Sequence, residues 1–396
     1  MRILLIHTYY QQPGGEDAVF EAEKALLNRM GHEVIVVTFH NRDLARMPAW
    51  WQVAVTIWNG ELYRSIRSLI REKRPEIMHI HNNFPLASPA VIHAAKAEGL
   101  PLVMTLHNYR LLCVNGLFFR QGRSCEDCIG RLPWRGVVHG CYRDSRVASA
   151  VVACMLTFHR SLGTWDLIDR FIALTEFACK KFIEAGLPVE KIMVKPNFVP
   201  DPGRPETHEG NYALLVSRLV PEKGIATVLK AWSKLPSSIP LKIVGSGPLE
   251  AQVREYALQN PSIEYMGQMK ISDVFEVMKK AFVVLFSSEW YETFGRTIIE
   301  SFACGKPVIV SNFGAATELV EEGRTGLKFR VGDANDLAAK VKWAWLHKRE
   351  MAEMGHNARK EYELKYTADR NYQMLMDIYQ AAIGHLQGKS NGLSAG

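Results

Sequence analysis

Two glutamates separated by seven residues bracket the stretch Glu292-Thr-Phe-Gly-Arg-Thr-Ile-Ile-Glu300. The apolar run Phe282–Phe286 before them reads as a strand, and a short helix starts between them. The free N–H groups of a helix N-terminus hold an anion. A carboxylate two turns into that helix reaches past the anion to a pair of hydroxyls. A carboxylate in the preceding loop addresses whatever lies beyond the anion. The layout fits a nucleotide diphosphate joined to a polyol.

Other strand-to-helix turns offer matching chemistry. Ser217-Arg-Leu-Val-Pro-Glu-Lys-Gly224 sets Arg218 and Lys223 on either side of a tight turn. Two cations there neutralise a diphosphate whose charge grows as it leaves, or else they are surface cations. In Val244-Gly-Ser-Gly-Pro-Leu-Glu250, Gly245 and Gly247 permit close backbone approach to a ligand, and a purely structural turn explains them equally well. Near the N-terminus, His7-Thr-Tyr-Tyr-Gln-Gln-Pro-Gly-Gly-Glu16 carries Gly14 and Gly15. No third glycine opens the following helix, which argues against a dinucleotide fingerprint. There is no Asp-x-Asp metal motif.

Histidines end two further apolar runs, in Ile77-Met-His-Ile-His-Asn-Asn83 and Thr105-Leu-His-Asn-Tyr109. His79 and His81 share a strand face, as a metal pair or as hydrogen-bonded strand-end residues. Cys113, Cys125, Cys128 and Cys141 are clustered in a loop rich in Gly, Arg and Trp. That spacing in an intracellular chain suggests a structural zinc bound by four thiolates, the alternative being unliganded thiols. Cys154, Cys179 and Cys304 lie in apolar settings and are expected in the core.

These residues need a scaffold, and the chain supplies an alternation of apolar strands and amphipathic helices. Arg2–His7, Glu33–Thr38, Ile77–His81, Leu102–Leu106 and Phe171–Leu174 read as buried strands, with a helix over Asp17–Met30. Proline and glycine interrupt the pattern from Val194 to Gly210, and it resumes with strands at Tyr212–Val216, Leu241–Val244, Phe282–Phe286 and Pro307–Val310. Gly323–Phe329 reads as a turn between strands. The expectation is an α/β protein of two doubly wound parallel-sheet domains, with ligands at the carboxyl ends of the strands and hence in the cleft between domains. The boundaries are 1–199 for the first domain, including a Cys-rich insertion at 113–141, 200–210 for a linker and 211–365 for the second domain. A helix over 366–386 packs back toward the first domain, and 387–396 is a disordered tail.

The net charge of +7 over 396 residues favours anionic partners. No nucleic-acid module or compact Lys/Arg run is present, so phosphorylated donors and an anionic membrane surface fit better than nucleic acid. Ala49-Trp-Trp-Gln-Val-Ala-Val-Thr-Ile-Trp58, followed by Arg64, Arg67, Arg71, Lys73 and Arg74, suits a membrane interface or a core helix with a solvated basic face. No run reaches the ~18 apolar residues that span a bilayer. The first residues, lacking a cleavage site, read as a strand. A cytoplasmic protein is expected, in reach of the inner face of the plasma membrane.

The set Arg218…Lys223, Gly245-Ser-Gly247 and Glu292-x7-Glu300, followed by Ala303-Cys-Gly-Lys-Pro-Val308, resembles the retaining glycosyltransferases of family 4, which have the GT-B architecture. The resemblance covers nearly the whole chain, departing from the usual pattern at Ser217 and Thr293. It implies sugar transfer with retention from a nucleoside diphosphate-sugar to a glycan or lipid-linked acceptor, in cell-surface polysaccharide or glycolipid synthesis, without a catalytic metal or other cofactor. By resemblance, Arg218 and Lys223 hold the donor diphosphate, Glu300 takes the ribose hydroxyls and Glu292 faces the donor sugar. The backbone at Phe294, Gly295, Arg296 and Thr297 caps phosphates or sugar hydroxyls. Gly14 and Gly15 approach the donor phosphates and the acceptor, and His107 touches the donor sugar. The competing expectations are a sugar-nucleotide epimerase of the same fold, which needs no acceptor, and a non-catalytic sugar-nucleotide-binding protein.

Overall fold

Short aliphatic runs build the first sheet. In β1 (Arg2–Tyr9), Ile3, Leu4, Leu5 and Ile6 are wholly excluded from solvent, as strands covered on both faces must be. The computed structural model describes residues 1–11, 14–44, 46–203, 205 and 210–393, with side chains to 384. Around β1 stand β2 (Glu33–His40), β3 (Ile77–Ile80) and β4 (Leu102–Thr105). The hairpin β5 (Phe119–Arg120) and β6 (Arg123–Ser124) lies outside this sheet, and β7 (Arg170–Ala173) and β8 (Ile192–Val194) complete it. The order is β2-β1-β3-β4-β7-β8, every pair parallel.

The second sheet repeats the plan. Its strands are β9 (Ala213–Val216), β10 (Leu241–Val244), β11 (Ile263–Gly267), β12 (Val283–Phe286), β13 (Val308–Ser311) and β14 (Gly326–Phe329). They run in the order β11-β10-β9-β12-β13-β14, again all parallel. Each sheet therefore reverses strand order beside its first strand, the topological switch point at which doubly wound sheets bind ligands.

The chain divides into two compact units. One comprises Met1–Phe118, Glu126–Pro196 and Asn371–Gly396, the other Phe119–Cys125 and Asn197–Arg370. The closing helix Ala368–Leu393 supplies Leu375, Ile378, Tyr379 and Ala382 to the core of the first unit, against Ile3, Leu5, Phe20 and Ile172. That helix extends past residue 387, where a disordered tail was expected, and 394–396 lie outside the described residues. The expected linker at 200–210 also falls partly outside them, at 204 and 206–209.

Within the two six-stranded sheets, three strands, β8, β11 and β14, were not anticipated from sequence, and β14 occupies the segment expected to be a turn. All three are edge strands. An edge strand is covered less than a central one and needs no continuous apolar run. Ile192, Met193 and Val194 are only half-buried, and Glu264 in β11 is exposed.

Candidate active site

In the second unit, two strand-to-helix loops are joined by their backbones. Ser217 N donates to Val244 O at 3.0 Å, Leu219 N to Ser246 O at 2.9 Å and Leu249 N to Leu219 O at 3.0 Å. Gly245, at φ 141°, and Gly247, at φ 156°, make this approach possible. A Cβ on Gly245 would stand 1.8 Å from the carbonyl oxygen of Ser217, and one on Gly247 2.5 Å from that of Leu219. Both glycines thus have a structural reason to be there, and it places the loop carrying exposed Arg218.

That loop is also tied to the segment after β12. Gly224, at φ 67°, lies so close that a Cβ would meet Ser287 O at 2.0 Å. Ser287 Oγ donates to Lys223 O at 2.7 Å, Glu289 N to Glu222 O at 2.8 Å, and Thr227 Oγ1 to Glu289 Oε1 at 2.6 Å. Lys223 and Glu292 meet as a result: the ammonium donates to Glu292 Oε1, which also accepts from Ser288 Oγ at 2.6 Å and Trp290 Nε1 at 2.9 Å. The ammonium stands 5.6 Å from the Trp290 ring centroid and 5.9 Å from that of Phe286, within cation–π range.

Gly295 caps the helix Arg296–Ala303. Glu300, on its second turn, is buried, and burial raises its carboxyl above the ordinary range while Arg296 offsets part of the effect. Arg296 Nε stands 2.8 Å from Glu300 Oε1, an i,i+4 pair. Phe294 is buried and Thr297 half-buried.

The first unit gathers a second set of polar residues at the carboxyl ends of β1, β3 and β4. Gly15 opens the helix Gly15–Arg29, and Asp17 in its first turn accepts from Gly14 N at 2.9 Å and approaches His7 Nε2 at 2.9 Å. One turn further on, Glu23 is almost wholly buried. Its Oε2 accepts from Lys195 Nζ at 3.1 Å, and its Oε1 lies 3.0 Å from His81 Nε2 and 3.1 Å from His79 Nδ1. His81 Nδ1 is 3.0 Å from His107 Nε2, the two rings stacked at 5.2 Å. Burial, the largest single influence, pushes Glu23 up, but the Lys195 ammonium together with His81 and His79 outweighs it and holds the carboxylate well below its usual range. Burial lowers His81 to about 4 and His107 well below 6.5, so both rings are neutral near pH 7.

The model of the family described as glycosyl transferases group 1 matches residues 201–361, and that of the glycosyl transferase 4-like domain matches residues 14–197. The chain belongs to the group 1 glycosyltransferases. An uncharacterized glycosyltransferase of Methanocaldococcus jannaschii is 28% identical over 173 residues, which is 43% of this chain and 48% of that protein. This glycosyltransferase chain thus spans about half the length of that relative. The sulfoquinovosyl transferase SQD2 of Arabidopsis thaliana is 28% identical over 383 residues, 90% of this chain and 69% of the relative. Among solved structures, Anabaena HepE in complex with UDP superposes with a TM-score of 0.68 at 19% identity, covering 96% of this chain and 100% of that one. At that identity the likeness is one of fold, and the fold is GT-B: two Rossmann-like units, each on a parallel sheet.

Among the described residues of this glycosyltransferase the Cys-rich loop does not gather three thiols as the expected zinc site requires. Glu23, His79 and His81 place three ligand atoms within 4.8 Å of one another, whereas no three of Cys113, Cys125, Cys128 and Cys141 do so among the described residues. Cys113 and Cys128 are buried, Cys113 Sγ donates to Asn115 Oδ1 at 3.0 Å, and Cys141 packs against the cluster of Val114, Val152 and Leu156. Three thiols within reach of one ion, the minimum for the expected site, are therefore not brought together among the described residues. None of the seven cysteines is in a disulfide. The triad of Glu23, His79 and His81 is no better suited to a metal: Lys195 already compensates the carboxylate, while His79 is shared with Tyr379 Oη at 2.8 Å and Thr105 Oγ1 at 2.8 Å. These two histidines are hydrogen-bonded strand-end residues.

Glu23, Lys195 and Tyr379 were missed by sequence reasoning. A signal existed for Glu23: it falls on the stripe Phe20–Glu23–Leu27 of its helix, where an apolar residue is expected.

Proposed function

We propose that the protein moves a sugar from a nucleoside diphosphate-sugar to a hydroxyl acceptor with retention at the anomeric carbon. The observation that carries this is the Lys223–Glu292 pair, held at the switch-point end of β9 and β12 in the same unit as buried Glu300 at a helix start. Arg218 and Lys223 neutralise the diphosphate as it leaves, Glu300 accepts from the ribose hydroxyls, and the backbone from Phe294 to Thr297 donates to phosphate or sugar oxygens. Glu292 orients the donor sugar and stabilises positive charge near the reacting carbon. His107 and Gly15 contribute from the first unit, His107 to a sugar hydroxyl and Gly15 to the donor phosphates. The cation pair supplies the charge a divalent ion would otherwise bring, so activity in EDTA is expected.

The named relatives support the donor and acceptor classes. HepE has been crystallised with UDP and with UDP-glucose. Others are an O-antigen chain mannosyltransferase of Escherichia coli and a capsular polysaccharide biosynthesis glycosyltransferase of Staphylococcus aureus. By analogy with them we infer a glycan or lipid-linked acceptor for this chain, reached from the cytoplasmic membrane face. The first unit carries residues suited to that surface. The helix Ala49–Ile57 exposes Trp50 and Trp51, and it packs on the helix Arg146–Ser161, which exposes Val147 and Phe158. Arg67 and Arg71 are both paired with Glu98, at 2.6 and 2.8 Å, which offsets part of the charge they would bring to an anionic surface. Among the described residues no helix is long and apolar enough to cross a membrane.

The test is a panel of UDP-, GDP-, ADP- and TDP-sugars with and without EDTA, read by release of nucleoside diphosphate and by the anomeric configuration of the product. Donor hydrolysis or transfer supports the reading. Epimerised sugar nucleotide without acceptor would replace it with an epimerase, and binding without turnover with a sensor.

A further inference from the structure

Behind His107 the first unit buries a chain of polar groups to which the sugar-transfer reading assigns no role. It runs from Lys195 through Glu23 and His81 to His107, and its links are 3.1, 3.0 and 3.0 Å. Lys195, Glu23 and His81 are each no more than 3% exposed. Other groups face the chain. His79 approaches Glu23 Oε1, Tyr379 Oη stands against His79, Asn371 Oδ1 accepts from Lys195 at 3.0 Å, and the His7 ring, itself near Asp17, lies 6.4 Å from that of His81. Each link has one direction of donation that chemistry allows. An ammonium only donates, and an ionised carboxylate only accepts. Glu23 therefore takes a proton from Lys195 on one oxygen and from His81 Nε2 on the other. A neutral imidazole that donates at Nε2 accepts at Nδ1. The hydrogen on the last link accordingly belongs to His107 Nε2, and the lone pair of His107 sits on Nδ1.

We infer that Lys195, Glu23 and His81 are positioning residues that lock His107 in one tautomer, with its proton on Nε2 and its lone pair on Nδ1, the form in which it serves sugar transfer. The locking is a property of the buried chain alone. The use made of it rests on the sugar-transfer reading. Supporting a ring through its other nitrogen is the general way proteins choose a histidine tautomer. The lock is assembled from three distant parts of the sequence: the first helix, the segment just after β3 and the segment just after β8. The closing helix adds Tyr379 and Asn371 around it.

One isosteric change reverses the wiring. In Glu23→Gln the side-chain oxygen must face Lys195, since the ammonium has no acceptor. The amide NH2 then faces the imidazoles and donates to His81 Nε2. His81 carries its proton on Nδ1 and donates to His107 Nε2, and the His107 proton moves to Nδ1. The experiment is 15N-histidine correlation spectroscopy near pH 7.5 on the full chain, with the His107 signals identified from the spectrum of His107→Gln. The expected wild-type pattern is a protonated Nε2 and an unprotonated Nδ1 at His107. The expected Glu23→Gln pattern is the inverse. A wild-type His107 protonated on Nδ1, or a folded Glu23→Gln whose His107 pattern is unchanged, overturns the inference, and the wild-type measurement decides even if the variant does not fold. In donor turnover, Glu23→Gln should lower kcat roughly 10- to 100-fold with KM little changed, as for other outer partners that orient a histidine. An inverted tautomer with unchanged kcat removes the catalytic use of the lock. If the wild-type protein turns over no sugar nucleotide, the functional reading fails while the spectra still judge the lock.

Discussion

Lys223 and Glu292 are joined by an ion pair whose carboxylate oxygen also accepts from Ser288 and Trp290. Both side chains are largely shielded from water, at 17% and 13% exposure. The pair links the loop after β9 to the segment after β12, so it both positions the cation and fixes the carboxylate. On the proposed function, a diphosphate entering there would compete with Glu292 for the same ammonium. Lys223→Ala is expected to slow donor turnover by roughly 10²–10³-fold, the usual loss when one group stabilising the developing charge is removed. Glu292→Gln keeps the shape and the Ser288 and Trp290 contacts while removing the charge, and should lower kcat more than it changes donor KM. Steady-state kinetics on both variants check this, and near-normal turnover of Lys223→Ala would remove the diphosphate role.

Gly245 offers a test of structure without chemistry. Its φ of 141° is strained for any side chain, and an added Cβ would overlap the Ser217 carbonyl oxygen. Accommodation means parting the loops and losing the bonds from Ser217 N and Leu219 N. Gly245→Ala should destabilise the second unit by on the order of 3 kcal/mol. Denaturant unfolding measures this. A stability within error of the wild type would show that the loops separate at little cost and that the glycine serves a ligand.

Every central strand was legible in the sequence, and so was the apolar edge strand β2, whereas the edge strands β8, β11 and β14 were not. Ile3–Ile6 and Val283–Phe286 are covered on both faces and must be apolar throughout, whereas β8, β11 and β14 are each paired on one side only. Glu292, Glu300 and Lys223 were legible because their helix and turn lie within a few residues of them. The Glu23 chain was not, because its partners Lys195 and Tyr379 are 172 and 300 or more residues distant in sequence from the groups they meet, and only the fold brings them together. The zinc expectation finds no support for a different reason: closeness in sequence does not bring three of the four thiols within ligating reach of one another among the described residues.

Exposed aromatic residues on the first unit make the membrane proposal measurable. Trp50 is 70% exposed and Trp51 39%, an expense in solubility that an interface with lipid would relieve. Flotation with vesicles containing anionic lipid should recover the protein at low salt and less of it at high salt, because the attraction is screened within a few ångströms at molar ionic strength. Trp50→Ser with Trp51→Ser should reduce recovery without altering the thermal midpoint. Equal recovery of the wild type and the double variant would move the contact elsewhere or abolish it.

Glu16 gives the protein a pH dependence with a definite sign. Burial raises its carboxyl from an ordinary value of 4.5 to about 8, with hydrogen bonds from Tyr10 at 3.0 Å and Asn108 at 3.3 Å opposing the rise in part. Its Oε1 is buried without a hydrogen-bond partner among the described residues. In the unfolded chain this group loses its proton near its ordinary value, while in the folded protein it keeps the proton to about pH 8. Across that window the folded state binds more protons than the unfolded state, so stability falls as pH rises and the loss is complete once the folded group has ionised. The thermal midpoint should therefore decline from pH 5 to pH 8 more steeply in the wild type than in Glu16→Gln, which holds a neutral side chain of the same shape at every pH. The two profiles should meet at the acid end and diverge toward pH 8, with the variant the more stable. Parallel profiles over the whole range would show that Glu16 titrates near its ordinary value and that its carboxylate is satisfied when charged.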